Sequence, residues 1–190
     1  MRPLIGLKNL TDLSFLTAGY TGLDVIEKLP SLKTISIVGR VAQSGQTGLS
    51  WALLGSPTVE TIKLSQLGAN HIRQISWPKF SILKSLTITS PLGKLPSSIL
   101  NEEGLSNLQT FNMQEFACDQ GVWPKTTLPN LTSITLRSTQ AAPETDLVCI
   151  QWDRLPNLTE LVVQGYRVDI PAFLARLPAA LAQKARIQNP

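Results

Sequence analysis

Histidine and cysteine are nearly absent from these 190 residues, which carry only His71, Cys118 and Cys149. That scarcity removes most of the chemistry a small domain can perform. One imidazole and two dispersed thiols do not build a zinc site. Neither thiol sits in a motif that would supply it with a base, so His71 is expected at a helix cap or on the surface. There is no glycine-rich phosphate loop ending in Lys-Ser/Thr and no Gly-x-Ser-x-Gly frame. Glu102 and Glu103 are neighbours in a polar turn, where carboxylates are solvated rather than poised for proton transfer. No catalytic, cofactor or metal residue is assigned, and the chain reads as non-enzymatic.

Long apolar runs are also missing. No stretch of 18 or more apolar residues occurs, so no membrane span is expected. The opening "MRPLIGLKNLTDLSFL" is interrupted by Asn9 and Asp12 and does not read as a signal peptide. Acidic residues are absent from 61 to 101, although the whole chain is only mildly basic, with 17 Lys+Arg against 13 Asp+Glu. A net charge of +4 permits contact with nucleic acid but does not propose it. Cys118 and Cys149 stand 31 residues apart. A disulfide is geometrically open to them, but free thiols in a reducing, cytoplasmic setting are the expectation.

What the chain has in abundance is one pattern. It recurs as "LKNLTDLSF", "LPSLKTISI", "SPTVETIKL", "FSILKSLTI", "LSNLQTFNM", "LPNLTSITL" and "LPNLTELVV". Each unit places an apolar anchor, two spacers, a second anchor, two spacers, then two anchors separated by one residue. Unit two uses Leu29, Leu32, Ile35 and Ile37; unit six uses Leu128, Leu131, Ile134 and Leu136. Only Ser56, opening unit three, breaks the apolar rule. The last anchor pair of each unit alternates with period two and predicts a short strand with its apolar side chains turned inward. A fixed-period repeat predicts stacking, because no unit can bury its apolar face alone. A buried Leu contributes about 1.5–3 kcal/mol, while ordering the backbone costs about 1–2 kcal/mol per residue. Stability must come largely from contact between neighbouring units.

The second anchors, at 10, 32, 59, 83, 108, 131 and 158, are 22 to 27 residues apart. In this spacing and skeleton the chain resembles the leucine-rich repeat family over about residues 4–166. The "LPSSI" of 95–99 and the uneven unit lengths resemble the repeat regions of intracellular plant immune receptors. The resemblance implies an α/β solenoid, arc-shaped, with a parallel concave sheet of about seven short strands and irregular or short-helical convex connections. Residues 1–190 would form one such domain, with a C-terminal capping segment over 168–188. Many members of the family carry Asn or Cys three residues after the last anchor. Here that place holds Ala18, Arg40, Leu67, Pro91, Phe116, Thr139 and Tyr166. Turns are therefore expected to be irregular, with Leu67, Phe116 and Tyr166 packing into the corner and Thr139 bonding backbone in part.

The connections have an apolar side of their own: Leu23, Ile26 and Leu29; Leu49, Leu53 and Leu54; Ile72 and Ile75; Leu147, Val148 and Ile150. Trp51, Trp77, Trp123 and Trp152 each precede a first anchor by three to five residues. Packing along the seam is the main expectation for them, with an exposed partner contact as the alternative. Residues 38–58 and 138–154 read as protruding loops. The three Asn-Leu-Thr sequons, at Asn9, Asn130 and Asn157, fall inside the repeat skeleton, which accounts for them without glycosylation. Phe173, Leu174 and Leu177 are expected to cover the last unit, with Leu181 and Ile187 forming a capping helix or a degraded eighth unit. The first unit lacks such a cover, so a domain or subunit covering an open N-terminal edge is expected.

Residues alternating with the strand anchors define the concave face. They are mostly Ser, Thr and amides, partly because Thr suits strand geometry. From this face and its edge we select Lys63, Asn112, Gln114, Phe116, Arg137, Glu160, Gln164, Tyr166 and Arg167 as candidate protein-binding residues. Arg137, Phe116, Tyr166 and Arg167 are the expected edge hot spot. The expected function is a non-catalytic scaffold that binds a protein partner, on the resemblance the ligand-sensing part of an intracellular immune receptor. The alternatives are substrate recognition within a ubiquitin ligase and, less favoured, a nucleic-acid surface along the basic 63–94 segment.

Overall fold

The computed structural model describes residues 6–16, 23–39, 54–99, 104–119 and 122–190. Trp51, Leu49, Leu53, Ala18, Arg40, Glu102, Glu103 and most of the 38–58 loop lie outside the described residues. The chain is α/β, with few and short helices on a largely parallel sheet. The anchor pairs form strands β1 (Asp12–Leu16), β2 (Thr34–Val38), β3 (Thr61–Ser65) and β4 (Ser85–Thr89). A two-residue β5 (Leu95–Pro96) precedes β6 (Thr110–Gln114), and a two-residue β7 (Phe116–Ala117) follows it. Then come β8 (Ser133–Pro143) and β9 (Glu160–Arg167). Helices α1 (Ala69–Arg73), α2 (Ile170–Ala175) and α3 (Ala179–Ala182) are short, and β10 (Arg186–Gln188) ends the series.

The main sheet runs β1-β2-β3-β4-β6-β8-β9-β10, and β5 pairs with β7 in a small second sheet. Every neighbouring pair is parallel. Among the described residues the main sheet has eight strands where about seven were expected, because the segment after α3 adds β10 beside β9. Ile187, flanked by polar Arg186 and Gln188, supplies the inward side chain of that eighth strand. Each strand is aligned with the next by one repeated device: the carbonyl just before it accepts two N–H groups from the following unit. Thr11, Lys33, Glu60, Lys84, Gln109 and Thr132 all act in this way.

The anchors face a single continuous core. Ile35, Ile37, Ile62, Leu64, Leu86, Phe111, Met113, Ile134, Leu136, Leu161 and Val163 are buried. Ser56, the exceptional anchor, is buried too and shares a hydrogen bond with the Thr58 hydroxyl at 3.0 Å. Units at the β1 edge are barer: Leu13 and Phe15 are half-buried, and Leu7 and Leu16 are exposed. On the connections Ile26, Leu29, Leu54, Ile72, Ile75, Leu147 and Ile150 are buried as expected, while Val148 is exposed. Trp77, Trp123 and Trp152 are all buried. Trp123 packs on Phe111 and Phe116 with ring centroids 5.2 and 5.6 Å away. Trp152 meets Phe173 edge-on at 6.0 Å, which seats α2 on the preceding connection.

The turns hold three departures from expectation. First, the chain turns one residue after the strand, through left-handed backbone at Gln66, Ser90 and Glu115 with φ of 55, 45 and 56°. None of these is the Gly or Asn that favours such a conformation. Leu67, Phe116 and Tyr166 then fill the corner, all buried. Second, an asparagine ladder is present, two residues after the first anchor. Asn107, Asn130 and Asn157 donate their amides to the carbonyls of Ser81, Ser106 and Pro129 in the preceding unit, at 2.7, 3.0 and 2.7 Å. Two of the sequon asparagines therefore act within the repeat as structural donors. Third, Ser138–Pro143 is not a loop but the second half of β8, paired through Ala142↔Tyr166 and Pro143↔Arg167 beyond a register shift.

The cause of that third departure is Glu115. Its buried carboxylate accepts from Thr139 N (2.7 Å), Thr139 Oγ1 (2.6 Å) and Ser138 Oγ (3.0 Å). Polar residues that read as solvated in the sequence find their partner inside. Burial pushes this carboxyl up, but the Thr139 and Ser138 hydrogen bonds and the Lys94 charge outweigh it and hold it below the usual range.

Cys118 and Cys149 are joined as a disulfide, contrary to the free thiols expected. The stacking explains it: Cys118 follows β7, Cys149 lies on the connection after β8, and their Cα atoms are 5.5 Å apart. Neighbouring backbone bonds fix both ends, Cys118 N to Asp146 O and Trp123 N to Cys149 O, each 2.9 Å.

Candidate binding face

One face of the main sheet is packed and the other is open. On β2 and β4 the burial alternates strictly, with inward residues buried and outward residues half-exposed. The parallel register turns this alternation into rows that cross the strands. Lys63, Thr87, Asn112, Thr135, Val162 and Arg186 are successive partners in one row. Gln114, Arg137, Gln164 and Gln188 are successive partners in the next. At the strand starts, Asp12, Thr34, Thr61, Ser85, Thr110, Ser133 and Glu160 complete a third.

Seven of the nine candidate residues are on this face or its rim. Lys63, Arg137, Glu160 and Arg167 are exposed, and Asn112, Gln114 and Gln164 are half-buried. The register sets Arg137 between Gln114 and Gln164. Glu160 accepts from the Ser133 hydroxyl at 2.9 Å, and Gln164 Nε2 donates to Gln188 Oε1 at 3.3 Å. Asn112 Oδ1 is buried without a hydrogen-bond partner among the described residues.

Phe116 and Tyr166, expected at the edge of the face, do not belong to it. Phe116 is 1% exposed against Trp123, and Tyr166 is fully buried with its hydroxyl on the Phe116 carbonyl. A ring at the turn contributes far more by burial than by exposure, so the expected edge hot spot reduces to Arg137 and Arg167. Arg186 and Gln188 extend both rows and were missed. Their signal was the alternation in "RIQ", weakened by the absence of the preceding anchors.

Electrostatics across the face are uneven. The Thr11 and Thr34 hydroxyls, with help from the Lys63 charge, hold the Asp12 carboxyl below its usual range. Along the strand-entry edge Glu60 bridges Lys33 at 2.9 Å and Lys84 at 2.7 Å. Elsewhere Lys94 pairs with Asp146 and Arg176 with Glu144. Among the described residues no group of three or more His, Cys, Asp or Glu is arranged to hold a metal ion.

No protein-family model, curated protein or solved structure matches this chain. Among the described residues no helix is long and apolar enough to cross a membrane. What the face can do must therefore be read from its own groups. It offers hydroxyls, amides and a few charges on a hydrogen-bonded frame.

Proposed function

We propose that the chain is a leucine-rich-repeat type solenoid whose open, concave face recognises a protein partner without catalysis. The observation that carries this reading is the row structure: polar side chains held in register across the sheet by paired backbone, with the apolar anchors on the other side. Such a frame loses little order on binding, because the strands already fix its side-chain roots. The sequence alternation and the polar rows it sets across the open face support recognition of a partner.

The Cys118–Cys149 bond favours an oxidising compartment over the cytoplasm, since such bonds are rare in reducing ones. That weighs against the intracellular immune-receptor and ubiquitin-ligase readings, and for recognition of a partner met after export. The test is affinity capture with the intact chain, comparing the wild type with Thr87→Trp/Thr135→Trp on the open face and with Val148→Trp on the connection side. One stoichiometric partner kept by Val148→Trp and lost by the double variant is expected. A partner retained by the double variant and lost by Val148→Trp would move the recognition surface to the other side.

A further inference from the structure

We infer that the β8–β10 end of the open face docks a carboxylate-rich extended segment of the partner, an inference that rests on the recognition reading and names the chemistry of what is recognised. Its basis is an unbalanced set of donors. Lys33, Lys84, Lys94 and Arg176 are each paired with a carboxylate, and Arg154 donates to the carbonyls of Pro124 and Lys125. Arg137 and Arg186, both exposed on the open face, have no such partner among the described residues.

The amides beside them are turned the same way. Ser90 N–H occupies Gln114 Oε1 at 2.5 Å, which leaves the Gln114 Nε2 donors unspent among the described residues. Gln164 Nε2 occupies Gln188 Oε1, which leaves the Gln188 Nε2 donors unspent among the described residues. The row Gln114–Arg137–Gln164–Gln188 thus presents mainly N–H groups and contains no carboxylate. Glu115, next to Gln114, is buried and turned to Ser138 and Thr139. The nearest acid on the open face is Glu160, one outward position from Val162, the register partner of Arg186, about 8 Å from Arg186 by strand spacing and rise; it accepts from Ser133 and makes no ion pair with Arg186 among the described residues. Asp12 lies on β1, at the far edge of the sheet.

Donors in excess are satisfied by acceptors that carry charge, and guanidinium groups bind carboxylates in a two-point fork. Arg137 and Arg186 lie two strands apart and one outward position out of step. With strands ~4.8 Å apart and ~3.3 Å per residue, their Cα atoms are about 12 Å apart. An extended peptide spans that distance in about four residues, an even interval that turns both side chains to the same face, so it would carry acidic side chains about four apart. A single-stranded nucleic acid fits less well, because these rows hold no aromatic ring on which bases stack.

The probe is a fluorescein-labelled peptide, Glu-Gly-Ser-Gly-Glu-Gly-Ser-Gly-Glu, with its Gln-for-Glu counterpart as control, followed by anisotropy with the whole chain at low salt. The Glu peptide should bind and the Gln peptide should not. Raising salt to about 0.5 M should weaken binding roughly tenfold or more, as screening requires. Arg137→Gln/Arg186→Gln should weaken it about tenfold or more while leaving the thermal transition in place, and Arg73→Gln should change it less than about twofold. Equal binding of both peptides, or unchanged binding by the double variant, overturns the inference. So does an oligo-dT strand that binds through the same two arginines while the peptide is ignored. If the captured partner itself binds the double variant as it binds the wild type, this inference falls and the recognition reading stands.

Discussion

The Tyr166 hydroxyl donates to the carbonyl of Phe116, fifty residues away in the chain, at 3.0 Å inside the core. The bond closes the corner behind β6 and ties it to β9 across β8. Tyr166→Phe keeps the ring but removes the donor, leaving the carbonyl unsatisfied. A loss of about 1–2 kcal/mol is expected, read as a lower urea midpoint at unchanged slope. Burial, and then the Glu115 and Asp146 charges, push the phenol above its ordinary value of 10.0. The neutral phenol is the form the fold favours. Its stability is therefore intact below pH 10 and is lost as pH rises above that, and Tyr166→Phe should lose this alkaline sensitivity.

The disulfide closes a 31-residue separation, which in the chain-entropy account corresponds to about 3–4 kcal/mol of denatured-state restriction. Cys118→Ser/Cys149→Ser should be destabilised by an amount of that order. Reductant added to the wild type should lower its unfolding midpoint to match, and should leave the double variant unmoved. A wild type insensitive to reductant, with free thiols counted under denaturing conditions, would contradict the bond.

Gly165 has φ of +77°, and a Cβ added there would lie 1.9 Å from the Ser138 carbonyl oxygen. Neither the backbone conformation nor the space admits a side chain. Gly165→Ala should cost several kcal/mol, about 3 or more, because strain and a forced shift of β9 against β8 add. Circular dichroism melting checks it. Gly93 is an internal control: its φ is +91° but nothing lies within 4 Å of the added Cβ, so Gly93→Ala should cost only the conformational penalty, about 1 kcal/mol.

Glu60, hydrogen-bonded and ion-paired to Lys84 and Lys33, has its carboxyl lowered from 4.5 to about 2. A depressed acid stabilises the fold above its unfolded pKa, and that contribution drains away as pH falls through the folded value. The advantage of wild type over Glu60→Gln should be level above pH 4.5, shrink between 4.5 and 2, and vanish near 2. Because the site is exposed, added salt should flatten the whole difference.

The sequence made the strands legible because anchor spacing is a direct record of burial: Ile35 and Ile37, or Ile134 and Leu136, can face only inward. It made the turns illegible because their partners are distant. Nothing local announces that Glu115 takes a left-handed conformation and collects Ser138 and Thr139, so a polar stretch that is half a strand read as a loop. Nothing local ranks Cys118 beside Cys149 until the units stack. Phe116 and Tyr166 were legible as corner fillers from their place after the strand, yet as exposed contacts from their bulk; the hydrogen bond between them decides for the corner. Of the candidate face, the rows were readable from alternation. Arg186 and Gln188 were not, since their unit lacks the first anchors that mark the others.

The open face as the recognition surface is tested most directly by site-specific photo-cross-linking to the captured partner. A photoreactive residue is placed in turn at Thr87 and Thr135 on the open face, and at Val148 and Lys28 on the connections. Covalent adducts from the two open-face positions and none from the other two are predicted. Adducts confined to Val148 or Lys28 would contradict the account.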